Sequence, residues 1–313
     1  MLRNICVLAV TVVTAIAGIL LPGASVQLAH LPALFMMTQL LLCFLATTDP
    51  ATPLPKASLL SLPRFLLVKM VLVPLLCWVI IRPFFPDYAL GVLLLAGSAV
   101  GVTAPFFAFL VAADAFFVIG AVIASSFIMP ATLPLLASIA LFAEGQSVQG
   151  LMWSCLGTAA FLGICMLVPF VIARLLWARC IGMAELLLKR RFLITLICIA
   201  GSNFVVFGRF SEPLLANSEM VADAFVVGLL LMALLFVPGL IMMRRLQPDQ
   251  ALGKIIGFTS LNSLLVVILS AEFFSLPEVL VATLFTLPIM CLGVPYQLCR
   301  NRLDRVKRRR PQN

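Results

Sequence analysis

AGSAVGVTAPFFAFLVAADAFFVIGAVIASSFIMPATLPLL, residues 96–136, decides how the chain folds. Its first part has the apolar character of a membrane-crossing helix, yet Gly97, Gly101 and Pro105 interrupt it. Pro105 removes a backbone donor, and the glycines loosen the turn before it. Hydrocarbon holds no water for the carbonyls so freed, and a break of this kind persists only where protein or a wet cavity satisfies it. A second interrupted stretch, IIGFTSLNSLLVVILSAEFFSL at 255–276, carries Gly257 and the polar run Thr259, Ser260, Asn262 and Ser263. Two broken apolar segments in corresponding halves of a chain are the mark of a secondary transporter with its site near the bilayer midplane.

Composition agrees. Of 313 residues, 63% are hydrophobic and 11% charged, with a mean hydropathy of +1.20. Soluble domains lie near ~45–50% apolar and ~25% charged. The chain therefore reads as an all-α polytopic membrane protein with no room for a separate soluble domain. The net charge of +9 does not point to nucleic acid, because the basic residues are scattered over short loops and the C-terminal tail. The nine cysteines fall mostly in apolar runs without a CxxC pair, so neither a disulfide framework nor a zinc site is expected. The single His30 cannot build a histidine metal centre or serve a Ser–His dyad, and no pair of deep aspartates is present, which argues against an intramembrane enzyme.

Ten spans are predicted, at 4–22, 31–48, 64–83, 88–112, 115–142, 149–176, 192–208, 219–243, 252–272 and 277–298. Each holds roughly the ~20 residues that a crossing needs. The first reads as an uncleaved span rather than a signal peptide. With both termini inside, all of the 21 lysines and arginines except Lys69, Arg82 and Arg209 fall on the inner side or at inner helix ends. Asp87, Glu144, Glu212, Glu219, Glu272 and Glu278 fall outside. This is a strong positive-inside bias and predicts a multi-pass plasma (bacterial inner) membrane protein.

The halves repeat. Ala113-Asp114 and Phe116 recur as Ala271-Glu272 and Phe274, and Pro130 recurs as Pro288, all at one offset. Five spans per half make the second copy inverted: 1–148 and 149–299 are the two five-helix repeats, and 300–313 is a basic tail. The register sets Thr103-Ala104-Pro105 opposite Leu261-Asn262-Ser263, so broken helices 4 and 9 are expected to cross near the midplane. Their half-helix N-termini would then present positive dipole ends to a polar or anionic substrate.

PKASLLSLPRFLLVKMVLVPLLCWVIIRPFFPDYALGVLLLAGSAVG, followed by 110–136 and by Asn262-Ser263, resembles the bile acid:sodium symporter superfamily. The resemblance covers most of the chain and is most recognisable at 50–136. It implies ten helices, inverted repeats of five, and a panel domain against a core domain that holds both breaks. It also implies transport of organic anions, often with sodium. Sodium-coupled members carry a Ser-Asn pair at the first break, where this chain has Ala104 and Pro105. They carry a Glu before a Gln-Asn pair at the second, where it has Gly257, Leu261 and Asn262. Losing carboxylate and amide ligands together removes hard oxygen donors, and weak or absent sodium dependence is expected. Auxin-efflux-like carriers share the ten-helix design and remain an alternative, as do a proton-coupled carrier and a non-transporting membrane receptor or scaffold. An arsenite-efflux reading lacks its cysteine, since none lies in 88–112.

The candidate substrate-binding residues are Thr103, Thr259, Ser260, Asn262 and Ser263. Ser125, Ser126 and Asp223 are the ion-coupling candidates. The partners are a small, anionic molecule and the lipid bilayer. Structural roles compete at each position: hydroxyls bond back to their own helix, Asp114 caps the helix after it, and Lys69, about five residues into its span, snorkels to the inner surface. Ser202-Asn203 is polar enough to line something. No arginine lies deep enough to clamp a carboxylate.

Overall fold

The computed structural model describes residues 2–47, 60–143, 148–243 and 246–309. Apart from one isolated bridge, the regular structure among them is helical. Helices α1 (Leu2–Leu20), α2 (Leu31–Thr47) and α3 (Leu62–Ile81) come first. The predicted fourth span is two helices, α4 (Pro86–Gly97) and α5 (Ala104–Leu110), followed by α6 (Ala115–Ala143). The second half opens with α7 (Val148–Arg179), α8 (Ile181–Lys189), α9 (Arg191–Arg209) and α10 (Ser218–Met243). The predicted ninth span is again two helices, α11 (Pro248–Thr259) and α12 (Ser263–Phe273), and α13 (Leu276–Cys291) and α14 (Gly293–Arg309) follow.

Among the described residues α3, α6, α9 and α10 are each long and apolar enough to cross a membrane alone, and counting each bent pair, α7–α8 and α13–α14, as one span raises the total to six. Broken α4–α5 and α11–α12 fall outside this count, and each of their halves is too short to cross a bilayer alone. The protein is an all-α membrane protein.

Pro105 sits in the first turn of α5, not inside a helix. Its missing N–H costs nothing there, because the first-turn donors have no intrahelical partner. Asp114 accepts a bond from Phe117 N–H at 3.0 Å and so caps α6, as its position in the sequence suggests. One end of the bundle is tied by Arg300, which bonds both the Asp249 carboxylate and the Ala112 carbonyl, and by Asp114 N–H on the Asp249 carbonyl at 3.0 Å.

The helices sort into two groups that meet along α6 and α7. In one, α1 lies along α9, and α2 packs on α7 and α9. In the other, α3, α6 and α13 pack around α4, while α10 packs on α11 and α13. Both broken helices belong to the second group. Rings of Phe65, Phe117 and Phe258 fill its centre, with Phe65 4.7 Å from Phe258 and 5.1 Å from Phe117.

Candidate functional site

The two breaks meet. Val100 and Leu261 form an antiparallel bridge, in which Gly101 N–H donates to the Ser260 carbonyl at 2.7 Å and Asn262 N–H to the Ala99 carbonyl at 3.1 Å. Gly101 is required by this approach, since a Cβ there would stand 2.7 Å from the Leu261 carbonyl oxygen. The bridge pairs Leu261 with Val100 rather than with Thr103 as the repeat offset sets them, while α5 and α12 start within a residue of positions related by that offset.

Other polar groups of the first break also have partners. Ala99 N–H points at the Met129 sulfur at 3.2 Å, and Val100 N–H donates to Ser125 Oγ at 2.9 Å. The Gly101 carbonyl accepts from Ala104 N–H at 2.9 Å. The Ala96 and Ser98 carbonyls accept from Lys69 Nζ at 2.6 and 3.0 Å. In a medium without water such pairing is what lets an irregular backbone exist.

Lys69 overturns its sequence reading. It does not snorkel outward but is fully buried, with its ammonium at the end of α4. A π-helical turn at Val68–Leu72, closed by Val73 N–H on the Val68 carbonyl, carries it. Pro74 just beyond lacks the N–H that would bond the Met70 carbonyl, and this favours the wider turn.

At the second break, Asn262 caps α12: its Oδ1 accepts from Leu265 N–H at 3.4 Å. Ser263 Oγ pairs with Thr286 Oγ1 at 3.3 Å. Thr259 and Ser260 were expected to face substrate, but both turn to the fully buried Tyr296 hydroxyl, at 2.5 and 3.1 Å. Thr259 Oγ1 also donates to the Ile255 carbonyl at 2.7 Å. One hydrogen per hydroxyl then orders the chain: Ser260 donates to Tyr296, and Tyr296 donates to Thr259. The network closes the α11 end and uses the hydroxyl hydrogens of Thr259, Ser260 and Tyr296.

Two cavities flank the crossing on the side of α2 and α9. The larger, about 200 Å³, is walled by Gln39, Cys43, Val102, Pro105, Phe106, Phe109, Arg191 and Thr195 among others. The smaller, about 40 Å³, touches Thr103, Asn262 and Ser263 from the breaks, and Gln39, Ser202 and Asn203 opposite. Gln39 and Val102 border both, so the two are continuous in their walls. Three buried polar atoms on this side, Gln39 Oε1, Ser202 Oγ and Asn203 Nδ2, have no hydrogen-bond partner among the described residues. Native proteins seldom leave such atoms unpaired, and each calls for an explanation.

Of the expected substrate residues the structure thus gathers Thr103, Asn262 and Ser263 at the cavity and diverts Thr259 and Ser260. Ser125 lies against the backbone of the break as described, while Ser126 is buried without a partner among the described residues and lines neither cavity. Asp223 is exposed on α10 and away from both. Sequence reasoning missed Gln39, although it is the lone amide of an apolar span, a costly placement that usually signals function. It also passed over Arg191, which sits on the cavity rim with its guanidinium 4.0 Å from the centre of the Phe109 ring. Comparison with protein-family models and with characterised proteins finds no match for the chain.

Proposed function

We propose that this protein is a secondary transporter that carries a small organic anion across the membrane. On this reading the broken pairs α4–α5 and α11–α12 each count as a span, ten helices cross in two inverted five-helix repeats (1–148 and 149–299), and the design is that of the bile acid:sodium symporter superfamily the sequence resembles. The observation that carries it is the backbone bridge between two broken helices beside a cavity with unpaired polar atoms. A protein that needed only to span the bilayer would gain nothing from interrupting two helices and pairing the gaps.

The cavity lies between the two helix groups, so rocking one group against the other opens it alternately to the two sides. Gln39, Ser202 and Asn203 from the first group, with Thr103 and Asn262 from the second, offer acceptors and amide and hydroxyl donors to a polar head. Arg191 at the rim attracts negative charge, and Phe106, Phe109 and Phe192 supply an apolar wall for the rest of the molecule.

The test is a thermal-shift screen of the purified protein against carboxylates, sulfonates and neutral analogues, followed by uptake of any hit into proteoliposomes. A stabilising anion that accumulates in the vesicles, and fails to do so with Asn203→Ala, supports the reading. A hit that binds but never crosses would make the protein a receptor.

A further inference from the structure

The cavity does not use the most unusual charge in the molecule. Lys69 is fully buried, and α3 contributes no residue to the wall of either cavity beside the crossing. Its ammonium is held by two main-chain carbonyls, at 2.6 and 3.0 Å, one from the last turn of α4 and one from the break itself. No carboxylate is among its hydrogen-bond partners in the described residues.

The carbonyls explain why a cation belongs there. Interrupting α4 leaves carbonyl oxygens converging at the negative end of its dipole, in a place closed to water. Helix C-terminal ends and unwound carbonyls of this kind coordinate monovalent cations in transporters with discontinuous helices. Leaving them bare in a buried site is expensive, and a free cation stripped of its water is poorly compensated by neutral donors alone. A lysine resolves both difficulties, since its cation is tethered and its stem packs as hydrocarbon. The π-helical turn, which Pro74 favours, adds a residue to the turn that bears Lys69.

We propose that Lys69 is the resident cation of the crossing: its ammonium occupies, on a covalent tether, the position that a free monovalent cation would take on the Ala96 and Ser98 carbonyls. The paired breaks therefore close, and substrate binds, without sodium. The clause on substrate rests on the transporter reading, whereas the clause on the crossing does not, and the experiment addresses the crossing in ligand-free protein.

Thermal unfolding of the purified full-length chain is measured in sodium, ammonium, n-propylammonium and choline chlorides at equal ionic strength, for wild type, Lys69→Ala and Lys69→Met. Wild type is expected to melt at the same temperature in all four. Lys69→Ala should melt well below wild type in choline and recover at least half of the loss in one of the small cations. Lys69→Met, whose side chain fills the space without charge, should be destabilised with no recovery. Three results overturn the proposal: sodium stabilising wild type over choline, Lys69→Ala matching wild type in choline, or Lys69→Ala remaining destabilised in every cation. Absence of folded Lys69→Ala in all four salts counts with the last of these, while folding only with a small cation supports the proposal. A failure to find any substrate leaves this comparison intact, so the two readings fail separately.

Discussion

At the residue scale, Gly101 and Asn262 make the crossing what it is. Adding one methyl group at Gly101 drives a carbon into the Leu261 carbonyl, and neither backbone can retreat without breaking the bridge. Gly101→Ala is expected to destabilise the protein by about 1–3 kcal/mol, the usual cost of overpacking a close contact, measured as a lowered midpoint of thermal unfolding. Asn262 combines two roles that substitution separates. Asn262→Ala removes the α12 cap and should cost about 1 kcal/mol, in addition to weakening substrate binding. Asn262→Ser keeps a capping oxygen but loses the amide donors, so it should retain wild-type stability while binding of the anion found in the screen still falls. Equal binding by Asn262→Ser and wild type would confine Asn262 to capping.

At the element scale, the end of α5 stores strain that can be relieved. Ala112 has φ of 50°, in the left-handed region, and Ala113 N–H bonds the Ala108 carbonyl at 2.9 Å. This is a Schellman ending, where glycine is the favoured residue. Ala112→Gly removes the Cβ penalty and should raise stability by up to about 1 kcal/mol, after its greater unfolded-state entropy is counted; a lower melting temperature for this variant would contradict it. The broken elements also set the expectation for ion coupling. The Ala96 and Ser98 carbonyls at the end of α4 are occupied by Lys69, and the cavity-facing donors at the breaks, Thr103, Asn262 and Ser263, are neutral. Substrate affinity in sodium should stay within tenfold of that in choline, a coupling below ~1.4 kcal/mol, read from binding isotherms at matched ionic strength.

At the scale of the whole molecule, the arrangement into two helix groups with a cavity between them is what a rocking transporter requires. The charge pattern predicts an orientation. Arg300, Asp249 and the 112–114 turn are joined at one end of the bundle, the end that the lysine and arginine bias assigns to the cytoplasm. A reporter fused after Asn313 is expected to read as cytoplasmic, and one inserted in the 209–218 loop as external. The same side for both would require the odd number of crossings predicted between them to be redrawn as even and would dismantle the inverted-repeat proposal.

The sequence by itself determined the membrane character, the existence of both breaks, and their mutual opposition. These follow from properties local to the chain: a run of apolar residues long enough for hydrocarbon, glycine and proline where a helix cannot continue, and an offset that repeats. It could not decide which way a side chain points once a break exists. Thr259 and Ser260 look as available as Asn262 in the linear run, but Tyr296, some three dozen residues further on, claims their hydroxyls. Lys69 looks close enough to the surface to snorkel, but carbonyls freed on the neighbouring α4 draw it inward. Gln39, Ser202 and Asn203 come from two separate spans and become one polar wall only when α2 packs on α9. In each case the deciding partner is distant in sequence, and the satisfaction of buried polar groups is settled by whichever partner the packing brings within reach, which only the tertiary structure specifies.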